Sequence, residues 1–299
     1  MKSHDSASHG RARGLHFLLI TAVGWGLNWP AIKFLLQEWP PLFARGLAGV
    51  LAAALLAAVA LARGERLRLP PRDLPRMAVA SFTNVFAWMG FTTIAMQWLT
   101  VGEGAMLVYT MPIWATLLAW PLRGARPGPL GIAALCLGFS GIALLLGVDG
   151  FHLGADKLIG VGLALFAAIA FALGTILNRA SVALSPIGIV VWQVGLGCAP
   201  MLILGLAFEH AQIGALSSAG AAAFVYMALV PMGACYLSWF AAIERLPPAI
   251  ASTGMLLVPV IGVVSAALLL GEGLGARQLF ALTLAIAGVA LALRENRGK

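Results

Sequence analysis

Three stretches of the chain set amides, hydroxyls and aromatic rings one helical turn apart. Asn84, Trp88 and Phe91 stand at i, i+4 and i+7; Met106, Tyr109, Thr110 and Ile113 stand at i, i+3, i+4 and i+7; Phe171, Thr175 and Asn178 repeat the first pattern. On a 3.6-residue helix each set shares one face. Nearer the N-terminus, "AVGWGLNWPAIKFLL" spaces Trp25, Trp29 and Lys33 four residues apart with Asn28 among them, and Tyr226, Ser252 and Thr253 add hydroxyls later. Such groups bind reversibly: amides and hydroxyls meet the charged ends of a small polar molecule, and rings take its apolar body. Bond-breaking chemistry has no counterpart here. There is no HExxH, no P-loop, no Cys/His metal spacing and no pair of deep carboxylates. No catalytic residue, cofactor or metal is expected, and the chain is not read as an enzyme. For any single polar residue the competing role is interhelical hydrogen bonding, worth about 0.6 kcal/mol per contact.

The elements that must carry these faces follow from composition. The chain has 299 residues, of which 61% are apolar and 10% charged, against about 25% charged in soluble domains. A helix needs about 20 apolar residues to cross a bilayer core. Ten such spans are predicted, at 14–36, 41–62, 76–98, 103–122, 129–147, 158–178, 186–207, 218–243, 248–270 and 276–293. The runs lack the period-two alternation of membrane barrels, so the expected fold is an all-α polytopic membrane protein.

The net charge of +8 is explained by topology. Fifteen of the nineteen Lys and Arg residues fall on one side if the spans alternate; only Lys33, Arg45, Lys157 and Arg277 fall toward the other. This positive-inside bias puts both termini in the cytoplasm and excludes nucleic acid as a partner. The expected partners are the lipid bilayer and a small-molecule substrate, with the chain a monomer. Residues 1–13 read as a basic cytoplasmic tail, with the following apolar run retained as the first span. Cys136, Cys198 and Cys235 sit singly in apolar spans as buried thiols.

A weak internal repeat appears at an offset of 147 residues. Ala95 falls on Ala242, Leu99 on Leu246, Pro112 on Pro259, Gly124 on Gly271 and Gly141 on Gly288. Residues 14–147 and 158–293 would then form two five-helix repeats, with 294–299 a cytoplasmic tail. Five is odd, so the second repeat enters the membrane inverted. In inverted-repeat secondary transporters the substrate site lies near the midplane, between the halves.

Pro30, Pro112, Pro231 and Pro259 fall inside spans and each removes a helical hydrogen bond. They are candidate hinges or helix breaks. Glu38, Glu103, Glu209, Glu244 and Glu272 all lie near span ends. A proton-coupled carrier usually holds an intramembrane acid, so facilitated or weakly coupled movement is expected. Lys33 and Arg45 lie near the outer ends of spans 1 and 2, where snorkelling to the interface competes with any binding role. Ala44, Ala48 and Ala52, and Gly131, Gly138 and Gly141, suit close helix packing at the periphery.

These features together resemble the drug/metabolite transporter superfamily, EamA type. The resemblance rests on "VGWGLNWPAIKFLL", on "PPLFARGLAG", and on "GEGAMLVYTMPIWATLLAW" with its counterpart "ASTGMLLVPVIGVVSAALLLGEGLGARQL". The second of that pair carries the family's Gly-Glu turn at Gly271–Glu272; the matching positions of the first half are Gly124–Ala125, with no acid. Within the superfamily the chain is most similar to the YddG-type aromatic amino-acid exporters. The resemblance implies a cavity built by spans 1, 3, 4, 6, 8 and 9. It implies an inner-membrane exporter of aromatic or other neutral amino acids and related metabolites, working by alternating access. Trp25, Asn28, Lys33, Asn84, Trp88, Tyr109, Phe171, Thr175, Asn178, Tyr226 and Ser252 are the candidate substrate-binding residues. A second reading is a transporter or exchanger of an anionic or phosphorylated metabolite or drug, using Lys33 and Arg45. A membrane-embedded enzyme or sensor is a third.

Overall fold

The structure is a computed structural model that describes residues 2–146, 155–178 and 182–295. All regular structure among the described residues is helical. The first five helices are α1 (Lys2–Leu35), α2 (Pro41–Ala62), α3 (Pro71–Ala95), α4 (Val101–Arg123) and α5 (Pro129–Leu146). The second five are α6 (Ala155–Leu177), α7 (Pro186–Phe208), α8 (Ser218–Ile243), α9 in two pieces (Pro248–Gly254 and Leu257–Leu270) and α10 (Ala276–Glu295). Seven helices are long and apolar enough to cross a membrane, and α5, the second piece of α9 and α10 are shorter apolar helices. Side chains such as Ile203, Phe208, Leu268 and Leu269 point outward, as a lipid-facing surface requires.

Local sequence sets where the helices begin. Proline opens α2, α3, α5, α7 and α9, where its missing N–H costs nothing. Thr100 and Glu103 form a capping box at α4, and Ser185 and Ser217 cap α7 and α8. Gly124 ends α4 and Gly271 ends α9 with φ of 68° and 69°. This left-handed conformation favours glycine, and the two glycines are one repeat offset apart.

The two halves are inverted copies that interlock. α1 packs on α8 and α9 of the second half, while α6 packs on α3 and α4 of the first. Those two arrangements exchange when each helix is replaced by its counterpart five positions on. α2 lies along α7, and α5 lies along α10, each pairing a helix with its own counterpart. Ala44, Ala48 and Ala52 are buried, and a Cβ on Gly46 or Gly49 would run into Leu202 or Cys198 of α7. A Cβ on Gly288 of α10 would lie 3.0 Å from the Ala134 carbonyl of α5. Small residues thus let these backbones approach closely.

Counterpart helices also share irregularities. α3 is π-helical over Phe82–Phe91, and α8 over Val230–Ala234. α4 breaks at Tyr109–Thr110 and α9 at Met255–Leu256, each just before its proline, Pro112 or Pro259. Pro112 has no N–H for the carbonyl of Val108, and Pro259 none for that of Met255. Short i→i−3 bonds fill the breaks, from Thr110 to Leu107 at 3.3 Å and from Val258 to Met255 at 3.2 Å. No break occurs at Pro30: α1 continues through it to Leu35. The Gly26 carbonyl, left without its helical donor, lies instead against Gly262 of α9.

Candidate functional site

The irregular segments converge on one cavity of about 530 Å³, within the range of roughly 300–1,000 Å³ typical of small-molecule sites. From α1 come Trp25, Asn28, Trp29 and Ile32; from the π segment of α3 and the turn after it, Asn84, Trp88, Met89, Thr92 and Thr93. The break in α4 supplies Tyr109, Met111 and Pro112, and α6 supplies Phe171. The π segment of α8 and its continuation contribute Pro231, Met232, Tyr236 and Trp239, and the break in α9 contributes Met255 and Leu256. Both halves therefore contribute to its wall.

Aromatic contacts organise that wall. Trp29 packs on Tyr109 at 6.1 Å, Tyr109 edge-on to Trp88 at 6.2 Å, and Trp88 against Phe171 at 4.9 Å. This chain links α1, α4, α3 and α6. Across the cavity Trp25 meets Tyr236 at 5.5 Å and Trp239 at 6.2 Å. The Trp25 indole also donates to the Pro231 carbonyl at 2.8 Å, tying α1 to the irregular turn of α8. Thr83 Oγ1 lies 3.3 Å from Asn84 Oδ1, while its one proton has a closer acceptor in the Val79 carbonyl at 2.9 Å. Any Cβ on Gly174 of α6 would strike Thr83 and Asn84, so that glycine lets α6 close on α3.

Of the residues singled out from the sequence, Trp25, Asn28, Asn84, Trp88, Tyr109 and Phe171 line the cavity, and so do Pro112 and Pro231. Lys33 does not. Its ammonium donates to the carbonyls of Met96 and Leu99 at 2.6 and 2.7 Å, closing off the C-terminal end of α3. Thr175 is exposed and returns its hydroxyl to the Phe171 carbonyl of its own helix. Tyr226 donates to the Gly24 carbonyl at 2.8 Å, joining α8 to α1 away from the cavity wall. Asn178 sits half-buried just past the end of α6, its Nδ2 buried without a partner. Pro259 lies in the wall of a small gap beside α10. Ser252 is in the first piece of α9, and its side chain lies outside the described residues. Phe91 leaves the stripe it shares with Asn84 and Trp88 because the π turn holds an extra residue; it packs on Phe86 and Phe166 instead.

Three helices expected outside the cavity also contribute to it; of their residues the sequence offers Arg45 only for the anionic-substrate reading, and Gln193 and Val289 not at all. Arg45 of α2, Gln193 of α7 and Val289 of α10 all reach the cavity. Arg45 is 5% exposed, and its Nε and Nη1 have no protein acceptor. Asn28 Oδ1 and Thr92 Oγ1 are likewise buried without a partner. The span-end acids are occupied differently. At the end of the bundle where α2, α4 and α8 begin, a carboxylate from a distant segment caps each helix. Glu209 accepts from Phe43 N–H at 2.8 Å, Glu272 from Val101 N–H at 2.9 Å, and Glu38 from Ser217 N–H at 2.7 Å.

Comparison with known proteins decides the family. The model of the EamA-like transporter family matches this chain twice, over residues 12–147 and 158–294. The chain belongs to the EamA-like transporter family. It is a transporter and not an enzyme. A solved crystal structure at 20% identity superposes with a TM-score of 0.65, covering 98% of this EamA-like chain and 99% of its own, a likeness of fold. Among curated relatives, a probable amino-acid metabolite efflux pump of Salmonella typhimurium is 28% identical, over 91% of each chain. A probable terminal-alkyne amino-acid exporter of Streptantibioticus cattleyicolor is 29% identical, over 94% of each.

Proposed function

We propose that this EamA-like chain is an inner-membrane secondary transporter that exports neutral amino acids, aromatic ones included, and related metabolites by alternating access. The observation that carries this reading is the central cavity: aromatic rings, three amides and a buried cation enclose a volume suited to one small molecule. The relatives named for amino-acid export support the substrate class. The matched breaks at Pro112 and Pro259 support the mechanism. Each separates one half-helix from another beside the cavity, so the two halves can rock about it. Both termini face the cytoplasm on this reading, because fifteen of nineteen basic residues lie on that side. Residues 14–147 and 158–293 are the two repeats that move.

The test is counterflow. Purified chain in liposomes preloaded with unlabelled L-phenylalanine should take up external radiolabelled L-phenylalanine transiently above equilibrium. Empty liposomes should not. Equal uptake by both would refute carrier-mediated exchange of this class.

A further inference from the structure

One cavity side chain stands apart, and the sequence left it open between the membrane surface and a binding role. Arg45 is buried, carries a guanidinium, and lines the cavity. Neither Nε nor Nη1 meets a protein acceptor. Every two-pronged face that a guanidinium can offer uses one of these two nitrogens, so each fork keeps a free donor. A buried, unpaired cation is strongly unfavourable unless a partner anion answers it.

The rest of the wall specifies that anion. Arg45 is the only formally charged residue among those lining the cavity. Lys33 brings no second cation into the wall: its ammonium sits outside the lining, on the Met96 and Leu99 carbonyls. One carboxylate balances one guanidinium. A phosphate dianion would leave its surplus negative charge against the electronegative faces of the lining rings, whereas a zwitterion's surplus ammonium is attracted to those faces. Asn28 Oδ1 is an unpartnered buried acceptor in the same wall, suited to an N–H donor. Trp25, Trp88, Tyr109 and Phe171 offer ring faces to an apolar body and to an ammonium.

Building on the transport reading above, we propose that Arg45 is the carboxylate anchor of this cavity and that Asn28 Oδ1 receives the ammonium of the same molecule. The cargo is then an apolar α-amino acid held as its zwitterion. Phosphorylated metabolites and simple amines are disfavoured.

The experiment is titration calorimetry on the purified full-length chain with four probes of one skeleton: L-phenylalanine, L-phenylalaninamide, phenethylamine and 3-phenylpropionate. L-Phenylalanine should bind best. The two probes lacking the carboxylate should bind roughly 10- to 100-fold more weakly, the loss of one charge-assisted contact. 3-Phenylpropionate should fall between. Arg45→Gln, checked for a monodisperse profile, should bind L-phenylalanine and its amide alike, and Arg45→Lys should restore part of the preference. Should the variants fail to fold, the wild-type series decides alone. If the amide binds as well as L-phenylalanine, the anchor is wrong while the amino-acid reading stands. If 3-phenylpropionate binds as well as L-phenylalanine and far better than the amines, the anchor stands and the amino-acid reading falls. No binding by any probe overturns both.

Discussion

Replacing Glu272 with glutamine separates a structural acid from a proton carrier. Glu272 sits in the turn after α9, yet both its oxygens lie 2.9 Å from Val101 N–H at the start of α4. Glu272→Gln keeps an acceptor and removes the charge. A hydrogen bond to a charged group contributes about 1.5–3 kcal/mol against about 0.5–1.5 for a neutral one, a difference of about 1 kcal/mol. The lost interaction with the helix N-terminus adds about 0.3–1 kcal/mol. The expected destabilisation is therefore about 1–2 kcal/mol, and Glu272→Ala should lose more. Thermal unfolding in detergent should rank wild type above Gln above Ala. Steps should be of the order of 2–4 °C per kcal/mol. Uptake into proteoliposomes under an imposed pH gradient should be non-concentrative in all three. Concentrative uptake by the wild type that vanishes in Glu272→Gln, at an unchanged unfolding temperature, would refute the capping argument and make Glu272 a proton carrier.

Further outcomes follow from the same geometry. Asn84→Leu and Tyr109→Ala, both in the cavity wall, should cut counterflow at least tenfold while leaving a monodisperse protein; normal transport would reduce them to packing. Ala48→Val, at a fully buried position on α2, should instead lower the yield of folded protein, by overpacking that costs about 1–3 kcal/mol. Thr175→Val should transport normally, because that hydroxyl is exposed and bonded within its own helix. On a Cys136→Ala background, whose other two cysteines are buried, thiol labelling of whole cells should reach His210→Cys from outside. Arg68→Cys should label only after lysis. The reverse pattern would overturn the proposed orientation.

Seven of the ten predicted spans are helices that length and apolarity alone fix; the other three are shorter apolar helices, one because α9 breaks before Pro259. The offset of 147 residues correctly paired Pro112 with Pro259 and Gly124 with Gly271. The polar stripes were legible only in part: two of three residues on α3, one of four on α4 and one of three on α6 line the cavity. Asn84 and Trp88 survive into the cavity, but Phe91 turns away because a π segment, invisible to a 3.6-residue template, adds a residue to the turn. Thr175 and Tyr226 misled for a different reason. A hydroxyl inside a membrane needs an acceptor, and a backbone carbonyl of the same or a neighbouring helix serves as well as a substrate. Arg45 enters the sequence reading only as a cation for an anionic substrate, with snorkelling as its competing role, because it lies near the start of a span. What buries it is the close packing of α2 on α7 through Gly46 and Gly49, a tertiary fact that no local pattern carries. Lys33 shows the converse: near an aromatic stripe in sequence, its ammonium is drawn to the carbonyl end of α3.

The cavity as the transport site is tested most directly by substrate protection. Met255 lines the cavity at the break in α9. In a Cys136→Ala, Met255→Cys chain shown to retain counterflow, a small water-soluble thiosulfonate should modify the new cysteine and block exchange. Saturating L-phenylalanine should slow that modification severalfold, and L-phenylalaninamide at the same concentration should slow it far less. Modification at an unchanged rate in the presence of an L-phenylalanine concentration that saturates exchange would place the transported molecule elsewhere and contradict the account.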